Sequence, residues 1–96
     1  MTVKVKVRLL GVFRGFSGKS QMSLRLDKAT VRNVVQTFAK SLSKEARGLL
    51  LDAELNDPRP NALILLNGKE INVLNGLETE VKEGDEVTLI PISHGG

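Results

Sequence analysis

The sequence contains no cysteine, and His94 is its only histidine. Without cysteine there is no disulfide framework, no thiol nucleophile and no thiolate-ligated metal site. One histidine alone cannot build a histidine metal cluster or a pair of imidazoles for acid–base chemistry. The acidic residues that cluster late in the chain surround a turn and indicate a solvated rim. These absences argue against an enzyme and against a bound cofactor or metal.

Aromatic residues are also scarce, since the chain has neither tyrosine nor tryptophan and only three phenylalanines. A surface that binds single-stranded nucleic acid needs aromatic side chains on which bases stack. The net charge of +3 comes from scattered basic residues, of which only Lys4, Lys6 and Arg8 form a stripe. We therefore expect a weakly basic solvated face and no direct nucleic-acid binding.

Long apolar runs are missing as well. The opening MTVKVKVRLL alternates charge with valine and lacks the continuous apolar core of a signal peptide. No apolar run approaches the length of a membrane span. We expect a cytoplasmic protein without a membrane partner, monomeric when free.

The pattern that is present changes from period two to period 3.6 and back. Residues 3–10 and 21–26 alternate as two strands, joined by residues 11–19, whose three glycines predict a turn or loop. Residues 31–42 carry a helical apolar stripe, and Thr30 stands where an N-cap belongs. Residues 43–61 predict a loop, with a short helical turn in LLLDAEL.

Two further strand segments follow. Asn67-Gly68 between apolar runs predicts a tight hairpin, and EVTLIPI predicts the final strand. A hairpin, a helix and returning strands predict an α+β fold of the β-grasp (ubiquitin-like) type, with a mixed sheet of about five strands and one main helix on one face. The first and last strands should be parallel neighbours. We expect residues 1–92 to form this domain and residues 93–96 to form a flexible tail.

One motif is a decoy. Gly18-Lys19-Ser20 matches the end of a phosphate-binding loop, but that loop needs another glycine where this chain has Phe13. It also needs a following helix, whereas QMSLRL alternates as a strand. We therefore predict no nucleotide site.

The order of the short motifs carries a resemblance to a family. LNGKEI followed by VKEGDEVTLIPISHGG resembles the small sulfur carriers of the MoaD/ThiS type, the ubiquitin-related modifiers and the archaeal small modifier proteins. VKVRLLGVFRGFSG and Thr30-Val31 fit the same pattern, which spans nearly the whole chain. Each piece alone is weakly specific, but their order, ending on Gly95-Gly96, is quite specific.

The resemblance implies chemistry at the terminal carboxylate of Gly96, preceded by Gly95. A ubiquitin-activating-type enzyme would adenylate this carboxylate with ATP, and sulfur would replace AMP to give a thiocarboxylate. The acceptor remains open: tRNA thiolation, molybdopterin synthesis with this chain as the small subunit of the synthase, or conjugation to protein lysines. The competing interpretation is a non-catalytic β-grasp interaction module without terminal chemistry.

Strand parity predicts a docking surface near the tail. If the helix covers the valine face of the first strand, then Leu10, Ile90 and Ile92 point to the open face of the sheet, with His94 beyond them. An apolar patch on a face that is normally polar is typical of a binding site. In the family that the chain resembles, this surface meets the activating enzyme and the sulfur-accepting partner. The alternative is that residues 43–61 simply cover it. One of Phe13 and Phe16 should reach the core.

Overall fold

The computed structural model describes residues 2–27 and 29–92 of the chain. The helices in this part are α1 (Gly11–Ser17), α2 (Val31–Lys40) and α3 (Lys44–Leu50). The strands are β1 (Val3–Leu9), β2 (Gln21–Leu26), β3 (Ala62–Leu66), β4 (Lys69–Glu70) and β5 (Glu86–Pro91). Short 3₁₀ turns at Ile71–Val73 and Gly76–Glu78 connect β4 to β5.

The five strands form one mixed sheet in the order β2-β1-β5-β3-β4. β1 and β5 are parallel neighbours in its middle, whereas β2, β3 and β4 pair antiparallel with their neighbours. A connection between parallel strands must cross over the sheet, and the chain between β1 and β5 contains the helices that cover one face. The prediction of a β-grasp fold with parallel first and last strands is confirmed.

The core lies between this sheet and α2. Alternate residues of the central strands are fully buried, and the apolar stripe of α2 faces them. The helix begins where its sequence predicts, because the Thr30 hydroxyl oxygen accepts a hydrogen bond from the Asn33 amide at 3.2 Å. Its valines are poor helix formers, so packing of the buried stripe stabilises the helix. That stripe comprises Val31, Val34, Val35, Phe38 and Ala39.

The Asn-Gly hairpin also forms as predicted. Asn67 and Gly68 both have positive φ, 51° and 85°, as a two-residue turn between antiparallel strands requires. The Asn67 side chain ties this turn to the start of β5. Its Oδ1 accepts from the Glu86 amide at 2.9 Å, and its Nδ2 donates to Asp85 Oδ1 at 3.0 Å.

Two predictions about local structure were wrong. Residues 11–17, which were expected to form a loop, are α1. The helical turn expected in LLLDAEL (residues 49–55) is displaced, because α3 spans Lys44–Leu50 and includes only Leu49 and Leu50 of that segment. Burial explains α1: Phe13 is in the core, and Phe16 packs on it edge-to-face with ring centroids 5.6 Å apart. This burial outweighs the low helix propensity of glycine.

The glycines of α1 differ in what they permit. Gly11 has φ +56°, and a Cβ added there would lie 2.7 Å from Pro91 Cγ, whereas a Cβ on Gly15 would meet open space. We therefore expect Gly11→Ala to lower the free energy of unfolding by about 1–3 kcal/mol. Gly15→Ala, its matched control, should raise it by about 0.5–1 kcal/mol. Urea unfolding of both variants measures these changes, and equal effects would contradict the close approach of α1 to β5.

No helix in residues 2–27 and 29–92 has both the length and the apolar character needed to cross a bilayer. Over the same ranges, acidic and histidine side chains do not gather into a group that could hold a metal ion.

Candidate partner-docking site

The open face of the sheet carries an apolar patch formed by Leu10, Leu63, Ile90 and Ile92, which we call the β5 patch. The strand register places Leu63 directly opposite Ile90. Leu10 extends β1 beside Ile90, since its amide donates to Leu89 O at 3.2 Å. Leu63 and Ile92 are 38% and 41% exposed, and the other two are partly buried.

Ile92 is held at one end of this patch. Its amide donates to Asn61 O at 3.0 Å, so the pairing of β5 with β3 continues one step beyond Pro91. Residues 43–61 leave much of the patch uncovered, because Leu63 and Ile92 keep their exposed surface. The alternative in which that segment simply covers the patch is wrong.

The contribution of β3 to the patch was not predicted from the sequence. In ALILL the residues Ala62, Ile64 and Leu66 are buried, which turns Leu63 and Leu65 to the open face. Side chains alternate between the two faces of a strand, so the alternation predicts that Leu63 and Leu65 share one face. The unbroken apolar run hides which face is buried. One polar residue behaves unexpectedly, because Thr88 is only 7% exposed on this face, where it lies between Arg8 and Leu65 in the register.

The side of the patch nearest the β3–β4 edge contains a small depression of about 90 Å³. Its polar border includes Arg59, whose Nη2 forms an ion pair with Asp57 Oδ2 at 2.6 Å. The side-chain hydrogen bond from Arg59 lowers the pKa of Asp57 below its ordinary value of 3.8 and raises the pKa of Arg59. The Asp57 side chain also accepts from the Arg59 amide at 2.8 Å, which shapes the turn that precedes β3.

This ion pair predicts a pH dependence. Because the folded-state pKa of Asp57 is depressed, the stabilisation is present above the unfolded-state pKa and is lost as the pH falls through the folded-state value, below 3.8. We expect Arg59→Gln to lower the free energy of unfolding at pH 7 by no more than about 1 kcal/mol, since Arg59 is half exposed. Urea titrations at pH 7 and in acid should show that difference shrinking below pH 3.8. A difference independent of pH would contradict the pairing.

The other half of the open face is basic. Lys4 lies opposite Arg25, Lys6 opposite Ser23, and Arg8 beside Thr88. All of the charged side chains among these are exposed. The face therefore has an apolar part, formed by β3 and the end of β5, and a mainly cationic part on β1 and β2, where Glu86 lies beside Lys6 and Glu83 borders Lys4 and Lys6.

The predicted site residues fall into two groups. The structure brings Leu10, Ile90 and Ile92 onto one surface, as the strand parity predicted, but their docking role stays a prediction. His94, Gly95 and Gly96, together with the predicted tail of residues 93–96, lie outside the described residues.

The fold and this divided face define a ubiquitin-like β-grasp protein. A profile of the Urm1 (ubiquitin related modifier) family matches residues 4–96, and the chain belongs to this family. It is 31% identical over 93 residues to a proposed sulfur carrier protein of Archaeoglobus fulgidus, covering 96% of this chain and 98% of that one. It is 30% identical over 95 residues to small archaeal modifier protein 3 of Haloferax volcanii, covering 98% and 100%.

Structural similarity agrees with these relatives. The solution structure of small archaeal modifier protein 1 from Methanosarcina acetivorans superposes with a TM-score of 0.81 at 26% identity, covering 100% of this chain and 99% of that one. The resemblance inferred from the sequence is thereby confirmed. Members of this family are sulfur carriers or protein modifiers and not catalysts.

Proposed function

We propose that this chain is a ubiquitin-like sulfur carrier that works through the carboxylate of Gly96. A ubiquitin-activating-type enzyme transfers AMP from ATP to this carboxylate and releases pyrophosphate. A sulfide-level sulfur donor then displaces AMP from the carbonyl, which leaves a thiocarboxylate. The thiocarboxylate donates sulfur to an acceptor enzyme for tRNA thiolation or molybdopterin synthesis. The same activated carbonyl can instead be attacked by a lysine amine of a target protein. The chain itself holds no cofactor.

The observation that carries this proposal is the family match, which continues through Gly96. Two relatives that align over nearly their whole length are a proposed sulfur carrier and a modifier. A carboxylate is a poor electrophile, so both uses share one requirement: a better leaving group on the terminal carbonyl, which adenylation supplies. This common step is why one fold can serve sulfur transfer and conjugation.

The sequence of the last residues suits that step. Glycine has no Cβ, so Gly95 and Gly96 let the walls of a narrow active site approach the backbone closely. Four residues, 93–96, span about 13–14 Å when fully extended. That reach allows the terminal carbonyl to enter a buried adenylation site while the folded body stays outside.

The β5 patch supplies the recognition surface in this proposal. It combines exposed apolar area with a position at the end of β5, the strand that leads to the tail. A partner seated on Leu63 and Ile92 would hold the body next to its own active site. Desolvation of an apolar anchor surrounded by polar groups is the usual source of affinity in such interfaces.

A charge placed in the β5 patch tests its role. We expect Leu63→Asp to weaken binding of the activating enzyme by at least about tenfold, because a buried unpaired carboxylate costs more than 1.4 kcal/mol. Leu49→Asp is the matched control, since Leu49 is 53% exposed but lies on α3, in the helical layer. Isothermal titration of each variant with the enzyme measures the effect. Equal affinities for the two variants would contradict docking at the patch.

Intact-protein mass spectrometry tests the proposed function itself. The full chain is incubated with the activating enzyme of its host, ATP and a sulfur donor. We expect the mass gain of one sulfur replacing one oxygen, and no gain when ATP is omitted. If neither this product nor a trapped adenylate forms, the chain is a β-grasp interaction module. If the product forms, thiolated tRNA, molybdopterin and lysine conjugates are assayed in turn to identify the acceptor.

A further inference from the structure

The strand β2 has a free edge. It is the first strand in the sheet order, and among the described residues it pairs only with β1. Leu9 N donates to Ser20 O at 2.8 Å, so these two residues form a hydrogen-bonded pair of the antiparallel ladder. Hydrogen-bonded and non-hydrogen-bonded pairs alternate along such a ladder. The residues of β2 that bond to β1 are therefore the even-numbered ones. The amide and carbonyl groups of Gln21, Ser23 and Arg25 point outward, and they have no hydrogen-bond partner among the described residues.

Two clefts lie beside this edge, between β2 and α2, and we call them together the β2–α2 groove. One end is a cleft of about 260 Å³, and the other end is a second cleft of about 410 Å³. The first cleft is mainly apolar at its base, where Phe16, Met22, Phe38 and Leu42 line it. Asn33 and Thr37 of α2 line the second, so the groove follows the helix over two turns.

The border of the groove is predominantly cationic. Lys19 lines the first cleft and Arg25 the second. On the open face, Lys4 lies opposite Arg25 and Lys6 opposite Ser23. Among the described residues, Asp27 is the one acidic residue that lines either cleft, and Glu83 borders Lys4 and Lys6 on the open face.

We propose that the β2–α2 groove binds an extended segment of a partner protein, which adds to the sheet as a strand alongside β2. Its backbone would pair with the outward groups of Gln21, Ser23 and Arg25. Side chains alternate along a strand, so every second residue would enter the groove and the others would lie on the open face. The first cleft favours apolar residues at its base, the second is lined mainly by polar side chains, and the cations on the open face favour acidic residues. The expected ligand is thus a peptide in which apolar and acidic residues alternate.

This site is separate from the β5 patch. The sheet order places β1 between β2 and β5, and neighbouring strands are about 4.8 Å apart. A peptide in the groove therefore adds to the edge of the sheet away from Leu63 and Ile92. A partner could hold the groove while the activating enzyme uses the patch, and failure of the groove would leave the sulfur-carrier proposal intact.

A titration with a designed peptide tests the proposal. The probe is a capped peptide of about ten residues that alternates aspartate with valine or isoleucine, long enough to span the six residues of β2. The full chain, labelled with ¹⁵N, is titrated at low salt. We expect the largest shifts and slowed amide exchange at Gln21, Ser23 and Arg25. A peptide N-methylated at alternate residues, which removes donors from the added strand, should not bind.

Two substitutions separate the backbone contribution from the charge contribution. Ser23→Pro removes one outward donor, at an edge position where proline is tolerated, and should abolish peptide binding. Arg25→Glu should weaken it roughly fivefold, with the loss shrinking at high salt. Lys69→Glu is the matched control, because this exposed residue lies on the strand at the opposite edge and changes the net charge equally. It should change affinity less than about twofold.

Three results would overturn the proposal. The first is the absence of shifts at β2 at millimolar peptide. The second is binding of the N-methylated peptide with unchanged affinity, which would indicate a purely electrostatic contact. The third is a dimer, detected by sedimentation, that the peptide does not dissociate but that Ser23→Pro abolishes. That result would mean that a second copy of the chain occupies the edge of β2. If lysine replaces aspartate in the peptide and affinity does not fall, the assigned charge preference is wrong.

Discussion

Ending the chain at Gly95 should abolish the sulfur-for-oxygen mass gain completely in the activation assay. Removing Gly96 leaves the folded body unchanged, because residues 2–27 and 29–92 contain every strand and helix described. The truncation moves the terminal carbonyl back by one residue, about 3.3–3.6 Å along an extended chain. Reactions at an aligned carbonyl are sensitive to misplacement on the scale of 1 Å. The variant should therefore bind the activating enzyme but form no adenylate.

The matched variant for this truncation is Gly95→Ala, which keeps the length of the chain. We expect it to form product at a rate reduced by about tenfold to a hundredfold, because the added Cβ obstructs close approach without moving the carbonyl out of reach. Enzyme binding measured in parallel distinguishes lost docking from lost chemistry. Product formation by the truncated chain at the rate of the full chain would contradict activation at Gly96. Equal rates for Gly95→Ala and the full chain would show that the active site of the activating enzyme tolerates a side chain at position 95.

The elements whose sequence signal is local were predictable. The Thr30 cap, the Asn67-Gly68 turn and the alternation of the strands each depend on residues close together in the chain. Their order then restricted the topology, because a hairpin, a crossing helix and returning strands leave few ways to complete a sheet. The middle position of β1 and β5 follows from that restriction.

The elements that depend on tertiary contacts were not predictable in the same way. Three glycines in residues 11–19 made α1 look like a loop in the sequence. Gly11 and Gly18 lie at the two ends of this helix and have positive φ, and only Gly15 is interior. What stabilises this helix is burial of Phe13, which no local pattern reveals. The part of the β5 patch on β3 was missed for a related reason, since ALILL reads as buried on both faces until β5 is placed beside it.

The two surfaces also differ in what the sequence could reveal. The β5 patch has a sequence signal, because apolar residues occupy positions where strand parity expects polar ones. The β2–α2 groove has none: its outward amides belong to Gln21, Ser23 and Arg25, and its clefts join residues that are remote in the chain. Phe16 and Leu42 come together there only because α1 and the end of α2 meet at β2. A docking site formed by backbone edges becomes visible only in three dimensions.

Phe38→Ala is expected to be the most destabilising single substitution considered. Phe38 is fully buried in α2, against the sheet. Truncating a buried phenylalanine costs about 3–5 kcal/mol, through lost burial and the cavity that remains. A domain of this size has a total stability of about 5–15 kcal/mol. The variant should therefore keep its fold at 25 °C with a small margin and lose about 15–30 °C in melting temperature.

Leu49→Ala provides the control, because its side chain is more than half exposed on α3 and its removal should cost less than about 0.5 kcal/mol. Urea unfolding followed by circular dichroism gives both free energies, and an unchanged m-value would show that the same surface is exposed on unfolding. A loss below about 2 kcal/mol for Phe38→Ala would mean that the core collapses into the space left by the ring. Phe38 also lines the first cleft of the β2–α2 groove. The substitution enlarges this cleft, so the affinity for the alternating peptide should change while the β5 patch stays unchanged. Comparing peptide binding and enzyme binding in this one variant thus tests whether the two surfaces are independent.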